Sequence, residues 1–443
     1  MLCNLEFRSD FSSINKRQFV NDIFHEVLNS QPIKCLSLMY PTLYHAFKDL
    51  FGVEWHWAMF LNSFGFFVAV AFGVSSGLLN SELRRMQAAG FFKPQRVDVW
   101  IGKPTPWSEI VINGLFGFLI GWKIVYLFFA PFNGLEPREI LFSSRGYLWT
   151  GVAAAIGFGW WRWYEGKKSQ LAVPLREVKE IWPLDYAGNI TMYSAIFGFA
   201  GAKLFHLIEN PREFIEFFSS PSVESFISGL TVYGGIIFGS CGVLWYARSK
   251  KIPLRRLCDA AAPAMIIGYG IGRIGCQVSG DGDWGIANTR PQPDYLAWMP
   301  GWLWAYDYPN NVNHDARYEG YLGLLNDTSV ERITDSNVPC YEGYCTHLVP
   351  SVYPTPIYET VMATIIFLIL WMLRRKLKIA GQLFALYLIL NGFERFLIEQ
   401  IRVNNKFEFW GMIWTQAELI AVAFMCAGMA LWIFLSRYRK AIH

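Results

Sequence analysis

The sequence predicts an all-α, polytopic membrane protein of about nine transmembrane helices, and three observations carry that prediction. Of its 443 residues, 53% are hydrophobic and only 17% are charged, where a soluble protein carries about a quarter. The apolar residues gather into runs of about 20, enough to cross a bilayer as helix at about 1.5 Å per residue. The basic residues fall in alternate connections, the pattern of a chain whose Lys- and Arg-rich loops stay in the cytoplasm. The net charge of +4 is small and unevenly placed, so it speaks to topology. No basic stripe interleaved with aromatics points to a nucleic-acid partner.

In chain order, residues 1–38 mix charge and polarity without a sustained apolar core. They read as a peripheral or poorly ordered extension, not a secretory signal, and 39–443 as a single membrane domain. The apolar runs place helices near 59–81, 108–130, 147–163, 186–208, 228–247, 258–278, 356–373, 381–401 and 413–436. Arg84, Arg85, Lys93, Arg96 and Lys103 follow the first run; Arg162, Lys167, Lys168, Arg176 and Lys179 follow the third. Arg248 to Arg256 follow the fifth, Arg374 to Lys378 the seventh, and Arg437, Arg439 and Lys440 close the chain. The intervening loops around 210–226 and 286–352 are poor in base. Every basic loop therefore falls on one side, with the N-terminus outside and the C-terminus in the cytoplasm.

The long loop 286–352 is expected to form a small outer cap. Its stretch Trp298-Met-Pro-Gly-Trp-Leu-Trp-Ala-Tyr-Asp-Tyr308 suits the headgroup zone, or else a loop core, because Trp and Tyr rings are apolar with a polar edge. Cys340 and Cys345 in the same loop are candidates for a short disulfide, which persists outside the cytoplasm. Cys241, Cys258, Cys276 and Cys426 lie in or beside apolar runs and read as buried free thiols. The seven histidines are scattered without ligand spacing, so neither a metal nor a cofactor is expected.

The chemistry is expected around Gly268–Gly285, which ends the sixth run and contains seven glycines and Arg273. An arginine in hydrocarbon costs several kcal/mol by most scales, so it faces a partner, a cavity or a substrate. Arg395, Glu399 and Arg402 follow at i, i+4 and i+7 and share one helix face. Arg273 and Arg395 both fall roughly 8–9 Å below the outer helix ends. Guanidinium binds phosphate bidentately and keeps its charge in apolar surroundings. A pair at one depth therefore suits a lipid phosphate, against the plainer reading of Arg395–Glu399 as an intrahelical ion pair.

Glu359 follows Tyr353-Pro-Thr-Pro-Ile-Tyr358 and sits in a first turn entered from outside, where it orients an arginine or a substrate hydroxyl, or simply starts the helix. Gly235 and Gly239 make a GxxxG face, with Tyr233 beside it. His206 lies near Lys203 and Glu209, at the outer end of the fourth run. Asp281 and Asp283 lie in the glycine-rich turn. Gly270-Ile-Gly-Arg-Ile-Gly275 fits G-x-G-x-x-G, but it stands in a membrane helix and not in a βαβ unit, so it is no dinucleotide fingerprint.

These residues resemble the bacterial prolipoprotein diacylglyceryl transferases. The resemblance rests on four stretches in order: Gly229-Leu-Thr-Val-Tyr-Gly-Gly235, Gly272-Arg-Ile-Gly275 with the Gly280–Gly285 turn, Tyr353-Pro-Thr-Pro-Ile-Tyr-Glu359, and Asn391-Gly-Phe-Glu-Arg-Phe-Leu-Ile-Glu-Gln-Ile-Arg402. It covers about three-quarters of the chain. It implies a seven-helix family core, with 108–163 as an inserted helix pair.

The implied activity moves a diacylglyceryl group from phosphatidylglycerol to the lipobox cysteine of a prolipoprotein at the outer face of the bacterial inner membrane. Arg273 and Arg395 match the family's essential arginines, and Glu359, Glu399 and Arg402 its supporting positions. Gly235, Gly272, Cys276 and Asp283 are expected substrate-binding positions. The family's base is not carried over: Tyr233 is expected at most in a hydrogen-bond relay, with His206 or Asp281 as the proton acceptor.

The chain also departs from the family pattern. Tyr233 stands where the family has histidine, Cys276 where it has asparagine, Ser279-Gly-Asp281 where it has Asn-Gly-Glu, and Phe64 where it has tyrosine. Two other readings follow from these departures. One is a lipid-binding or lipid-moving protein that kept the fold without the chemistry; the other is a transferase using a different donor.

Overall fold

The computed structural model describes residues 39–129, 145–211, 214–215, 219, 231–313, 331–334, 341, 344–404, 406–409 and 411–442. The expected extension 1–38 and Cys340 lie outside the described residues. The chain is mostly helical and resolves into two compact units. One takes the chain up to Gly65 together with Gly275–Pro354; the other takes Phe66–Ile274 with Thr355–His443.

Each apolar run contains a helix. After a short helix α1 (Leu43–Phe51) come α2 (Ser63–Ala88), α3 (Trp107–Leu119) and α4 (Val125–Phe129), with a π-helical turn Ile120–Ile124 between the last two. Then follow α5 (Leu148–Ser169), α6 (Ala187–Glu209), α7 (Val232–Ser249), α8 (Leu254–Ser279), α9 (Thr355–Leu373), α10 (Gln382–Glu399) and α11 (Gln416–Ile442). Among the described residues, four helices are long and apolar enough to cross a membrane: Ser63–Ala88, Pro183–Glu209, Thr355–Leu373 and Gln416–Arg437.

Three boundaries differ from the sequence reading for identifiable reasons. Helix α2 starts at Ser63, not near 59, where the Asn62 side chain accepts a hydrogen bond from Gly65 N at 2.6 Å, as an N-terminal cap does. It also runs on to Ala88 through residues expected to be loop. There Glu82 is fully buried and paired with Arg85 at 2.9 Å and with Arg374. Helix α11 starts at Gln416, because Thr415 Oγ1 accepts from Glu418 N at 3.1 Å while Glu418 accepts from Thr415 N at 2.8 Å. That is a reciprocal capping box.

The expected all-α class needs a correction: three two-stranded antiparallel ladders join the helices. Strand β1 (Gln95–Ile101) pairs with β2 (Leu175–Ile181) from Gln95↔Ile181 to Ile101↔Leu175. Both strands lie in stretches read as basic loops. Leu175-Arg-Glu-Val-Lys-Glu-Ile181 is a short, charge-rich run carrying the β-branched Val178 and Ile181, and its charges find cross-strand partners. Arg96 Nε stands 3.5 Å from Glu180, and Arg176 pairs with Asp98. Strands β3 (Glu331–Thr334) and β4 (Thr346–Val349) form a second ladder. Strands β5 (Lys406–Phe409) and β6 (Met412–Thr415) form the third, and β6 takes the residues expected to begin the last helix.

In the larger unit, one core gathers Leu79, Leu83 and Met86 of α2, Ala187 and Ile190 of α6, Tyr246 and Ala247 of α7, and Leu257, Ala260 and Ala264 of α8. A second joins Ala262 and Ile266 of α8, Ala363, Ile366 and Leu370 of α9, and Leu383 and Tyr387 of α10. Between α6 and α7 the backbones nearly touch: a Cβ on Gly201 would lie 2.6 Å from Gly234 O. The β1–β2 ladder brackets α3, α4 and α5, so residues 95–181 leave and return at one place. Helices α3 and α5 pack closely on each other, a Cβ on Gly117 falling 2.7 Å from Ala154 O.

The smaller unit holds the described part of 286–352. Its core is Met39, Trp284, Tyr306, Tyr308, Leu348 and Val352. The aromatic stretch divides: Tyr306 and Tyr308 are buried, while Trp298 is 78% exposed. Gly280 takes φ of +63°, and a Cβ there would lie 2.7 Å from Asn311 Cβ; both conditions favour glycine. Cys345 is disulfide-bonded.

Candidate active site

Helices α8, α9 and α10 of the larger unit bring together five of the site residues expected from sequence. Glu359 is their common point. It lies in the first turns of α9, which Pro356 opens with its φ already set for helix. Its side chain is fully buried. Glu359 Oε2 lies 2.5 Å from Arg273 Nε of α8. Its Oε1 accepts from Arg402 Nη1 at 3.0 Å and from Arg395 Nη1 at 3.5 Å. Arg395 also reaches Glu399 Oε2 at 2.9 Å, one helical turn along α10, and Asn404 Nδ2 donates to Glu399 Oε1 at 2.5 Å. The expected intrahelical pair is thus formed, but as one arm of a larger network.

Close packing sets up this convergence. A Cβ on Gly270 would lie 3.1 Å from Ala363 Cβ, and Thr360 Oγ1 donates to Gly270 O at 3.2 Å. Glycine here lets α8 and α9 approach just behind the charges. Asp259 of α8 accepts from Gly381 N at 2.7 Å and Phe384 N at 3.0 Å. It caps α10 from another helix and fixes where Arg395 falls. Burying an ion costs several kcal/mol after relaxation and is offset only by good pairing; three guanidiniums and two carboxylates held at these distances supply it.

Glu394 lies in the Asn391–Arg402 stretch, beside Arg395. It is 2% exposed, and its Oε1 accepts from Tyr269 OH at 3.4 Å. The ring of Tyr269 lies under the Arg273 guanidinium, 5.2 Å from ring centre to carbon. Sequence spacing signals part of this: Tyr269 and Arg273 are i, i+4 on one helix.

The remaining expected residues make contacts of their own. Tyr233 is half-buried, and its hydroxyl makes no hydrogen bond among the described residues. Gly235 and Gly239 instead serve the helix contact: Cβ atoms there would lie 3.3 Å from Gly198 O and 3.4 Å from Gly198 Cα. His206 Nδ1 lies 3.3 Å from Asn210 Nδ2. A Cβ on Gly272 would meet no described atom within 4 Å. In the smaller unit, Cys276 Sγ donates to Asp283 Oδ2 at 3.6 Å, and Asp281 Oδ1 accepts from Asp283 N at 3.3 Å. One ligand atom from each of Cys276, Asp281 and Asp283 lies within 4.8 Å of the others, and the thiol–carboxylate contact accounts for that approach.

The fold and site define a class: a polytopic helical membrane protein that buries an arginine–glutamate network across three helices. The family model for prolipoprotein diacylglyceryl transferase matches residues 140–434, and the chain belongs to that family. A phosphatidylglycerol–prolipoprotein diacylglyceryl transferase of Leptospira interrogans serovar copenhageni is 26% identical over 367 residues, covering 82% of this chain and 78% of its own length. One from Corynebacterium glutamicum is 27% identical over 242 residues, 54% of this chain and 65% of its own. One from Xylella fastidiosa is 24% identical over 311 residues, 68% and 92% respectively. All five members of the arginine–glutamate network fall inside the family match.

Proposed function

We propose that this protein transfers the diacylglyceryl group of phosphatidylglycerol to the lipobox cysteine thiol of prolipoproteins, as the names of its relatives state for them. The observation that carries this reading is the convergence of Arg273, Arg395 and Arg402 on buried Glu359. In the reaction, the carbon–oxygen bond between the diacylglyceryl carbon and phosphate breaks and a carbon–sulfur bond forms. Glycerol 1-phosphate leaves with the electron pair, and the thiol gives up its proton.

A thiol of pKa about 8.5 is already a few per cent thiolate at neutral pH, so the demanding part is charge on the departing phosphate. Preorganised guanidinium groups in a water-poor site stabilise such charge, and bidentate geometry suits phosphate oxygens. Glu359 and Glu399 hold the arginines in place before substrate arrives. His206 and Asp281 are the candidates for accepting the thiol proton.

The reading extends to topology. The helices in the nine apolar runs span the bacterial inner membrane, with 286–352 as a cap on the periplasmic side and the C-terminus in the cytoplasm. The alternation of basic loops supports this orientation. The membrane supplies phosphatidylglycerol laterally, and lipobox peptides are the second substrate.

Purified protein in vesicles, given labelled phosphatidylglycerol and a lipobox peptide, should yield a thioether-linked diacylglyceryl peptide detected by mass. Absence of product under conditions where the Leptospira relative works would sink the assignment. Because Tyr233 replaces the family histidine, a panel of anionic and zwitterionic phospholipids should be run beside it, to distinguish a changed donor from a lost activity.

A further inference from the structure

We propose that Glu394 is a positioning residue for Arg273, acting through hydrogen bonding and shape and not through charge; the inference rests on the transferase reading. Glu394 lies at the centre of the charged helices, yet no arginine comes within ion-pair distance of it among the described residues. Its neighbours Glu359 and Glu399 take those contacts. One Glu394 oxygen meets the Tyr269 hydroxyl at 3.4 Å, and the other has no hydrogen-bond partner.

A charged carboxylate buried without a cation is costly, whereas a carboxyl used as a hydrogen-bonding group is not. The Tyr269 hydroxyl is thereby anchored on α10 while its ring lies beneath the Arg273 guanidinium. A guanidinium over an aromatic face is held by the ring quadrupole without being neutralised. Glu359 thus holds Arg273 at one nitrogen, and Tyr269 supports it under its face. Only the second leaves its charge undiminished for a phosphate. The charged and titratable groups around Glu394 are Tyr269 and Arg273 from α8, Glu359 from α9, and Arg395 and Tyr387 on its own helix.

The test compares Glu394→Gln, Glu394→Ala and Tyr269→Phe in the full-length protein. Turnover of phosphatidylglycerol with a lipobox peptide and retention of labelled phosphatidylglycerol by the purified protein are both measured. Glu394→Gln keeps the shape and hydrogen bonding without a charge. It should hold kcat/KM within about twofold and leave its pH profile in place. Glu394→Ala and Tyr269→Phe should each lower kcat/KM and lipid retention about tenfold, one to two hydrogen bonds' worth.

Tyr269→Phe keeps the ring and its volume, so it remains informative if the alanine variant folds poorly. The proposal is overturned if Glu394→Gln falls as far as Glu394→Ala, or if Tyr269→Phe is indistinguishable from wild type. Wild-type protein that retains the lipid but forms no thioether would defeat the transferase reading alone, and the retention data would then decide the role of Glu394. Wild-type protein that retains no phosphatidylglycerol would defeat both.

Discussion

The larger unit contains two sets of apolar helices that treat charge in opposite ways. At α8, α9 and α10, the side chains of Arg273, Arg395 and Arg402 are at most 22% exposed and converge on the fully buried Glu359 carboxylate. In the α3–α5 hairpin, the pair Arg162–Glu109 is 35% and 44% exposed. What the hairpin buries is mostly glycine and backbone, together with Lys123, which donates to Arg145 O at 2.8 Å. Leu115, Phe116, Leu119, Ile156, Trp160 and Trp161 on its surface are all more than half exposed, as suits lipid on the outside. Both sets lie within apolar runs of the sequence. They differ in whether the few charges are spent on the surface or gathered inside, and only the second arrangement has a use for a phosphate.

Five experiments break or sharpen this contrast. The largest effect belongs to the arginines: Arg273→Ala and Arg395→Ala should each lower transfer by about 10²–10³-fold, the scale for losing a preorganised donor to transition-state charge. Expression and monodispersity should survive. A variant with more than a tenth of wild-type turnover would remove that arginine from the reaction.

Next is Glu359→Gln, which leaves its arginines without their shared carboxylate. Breaking a buried pair from one side costs roughly 3–5 kcal/mol, so the melting temperature in detergent should fall steeply. Arg162→Ala should hardly move it, since exposed pairs contribute about 0–1 kcal/mol. Equal shifts in the two variants would erase the contrast.

Third, replacing residues 102–174 by Asn-Gly joins β1 to β2 through a two-residue hairpin turn. Transfer should stay within about threefold. The family match begins at residue 140 and so includes α5; loss of transfer would return that helix to the catalytic body.

The smallest effects concern residues outside the network. Tyr233→Phe should leave turnover within about twofold, because the hydroxyl makes no described hydrogen bond; full loss would restore it to the mechanism. In the smaller unit, burial raises the Asp307 carboxyl above its usual range, with His347 opposing. The folded state therefore binds this proton more tightly than the unfolded chain. The associated stability is present below the ordinary aspartate range and is lost as pH rises through the folded value. Asp307→Asn should thus gain stability over wild type as pH is raised from about 4 to 7. A melting-temperature difference that shrinks over that interval would contradict the assignment.

Much of the helical framework is legible in the sequence because a run of about 20 apolar residues has few alternatives in a bilayer. The arginines could be picked out because they violate that pattern. Their convergence could not, since it depends on Gly270 meeting Ala363 and on Asp259 capping a helix 122 residues away. The start of α11 was readable: Thr415-Gln-Ala-Glu418 is a capping-box sequence, and hydropathy alone overrode it. Strands β1 and β2 were missed because their alternation is carried by charges and their partner lies about 80 residues off. Glu394 was visible only as one acid among several, because nothing in one-dimensional spacing reveals which acid lacks a cation.

Return to the ladder that closes 95–181. Because Gln95 and Ile181 face each other, the chain enters and leaves this excursion through a doorway one strand spacing wide, about 5 Å. Whatever is threaded between the two strands makes no demand on the path of α2 or α6. The position is therefore a natural socket. A fluorescent reporter or an affinity tag with adjacent termini can be seated there, giving an internal handle on the protein without touching either end of the chain.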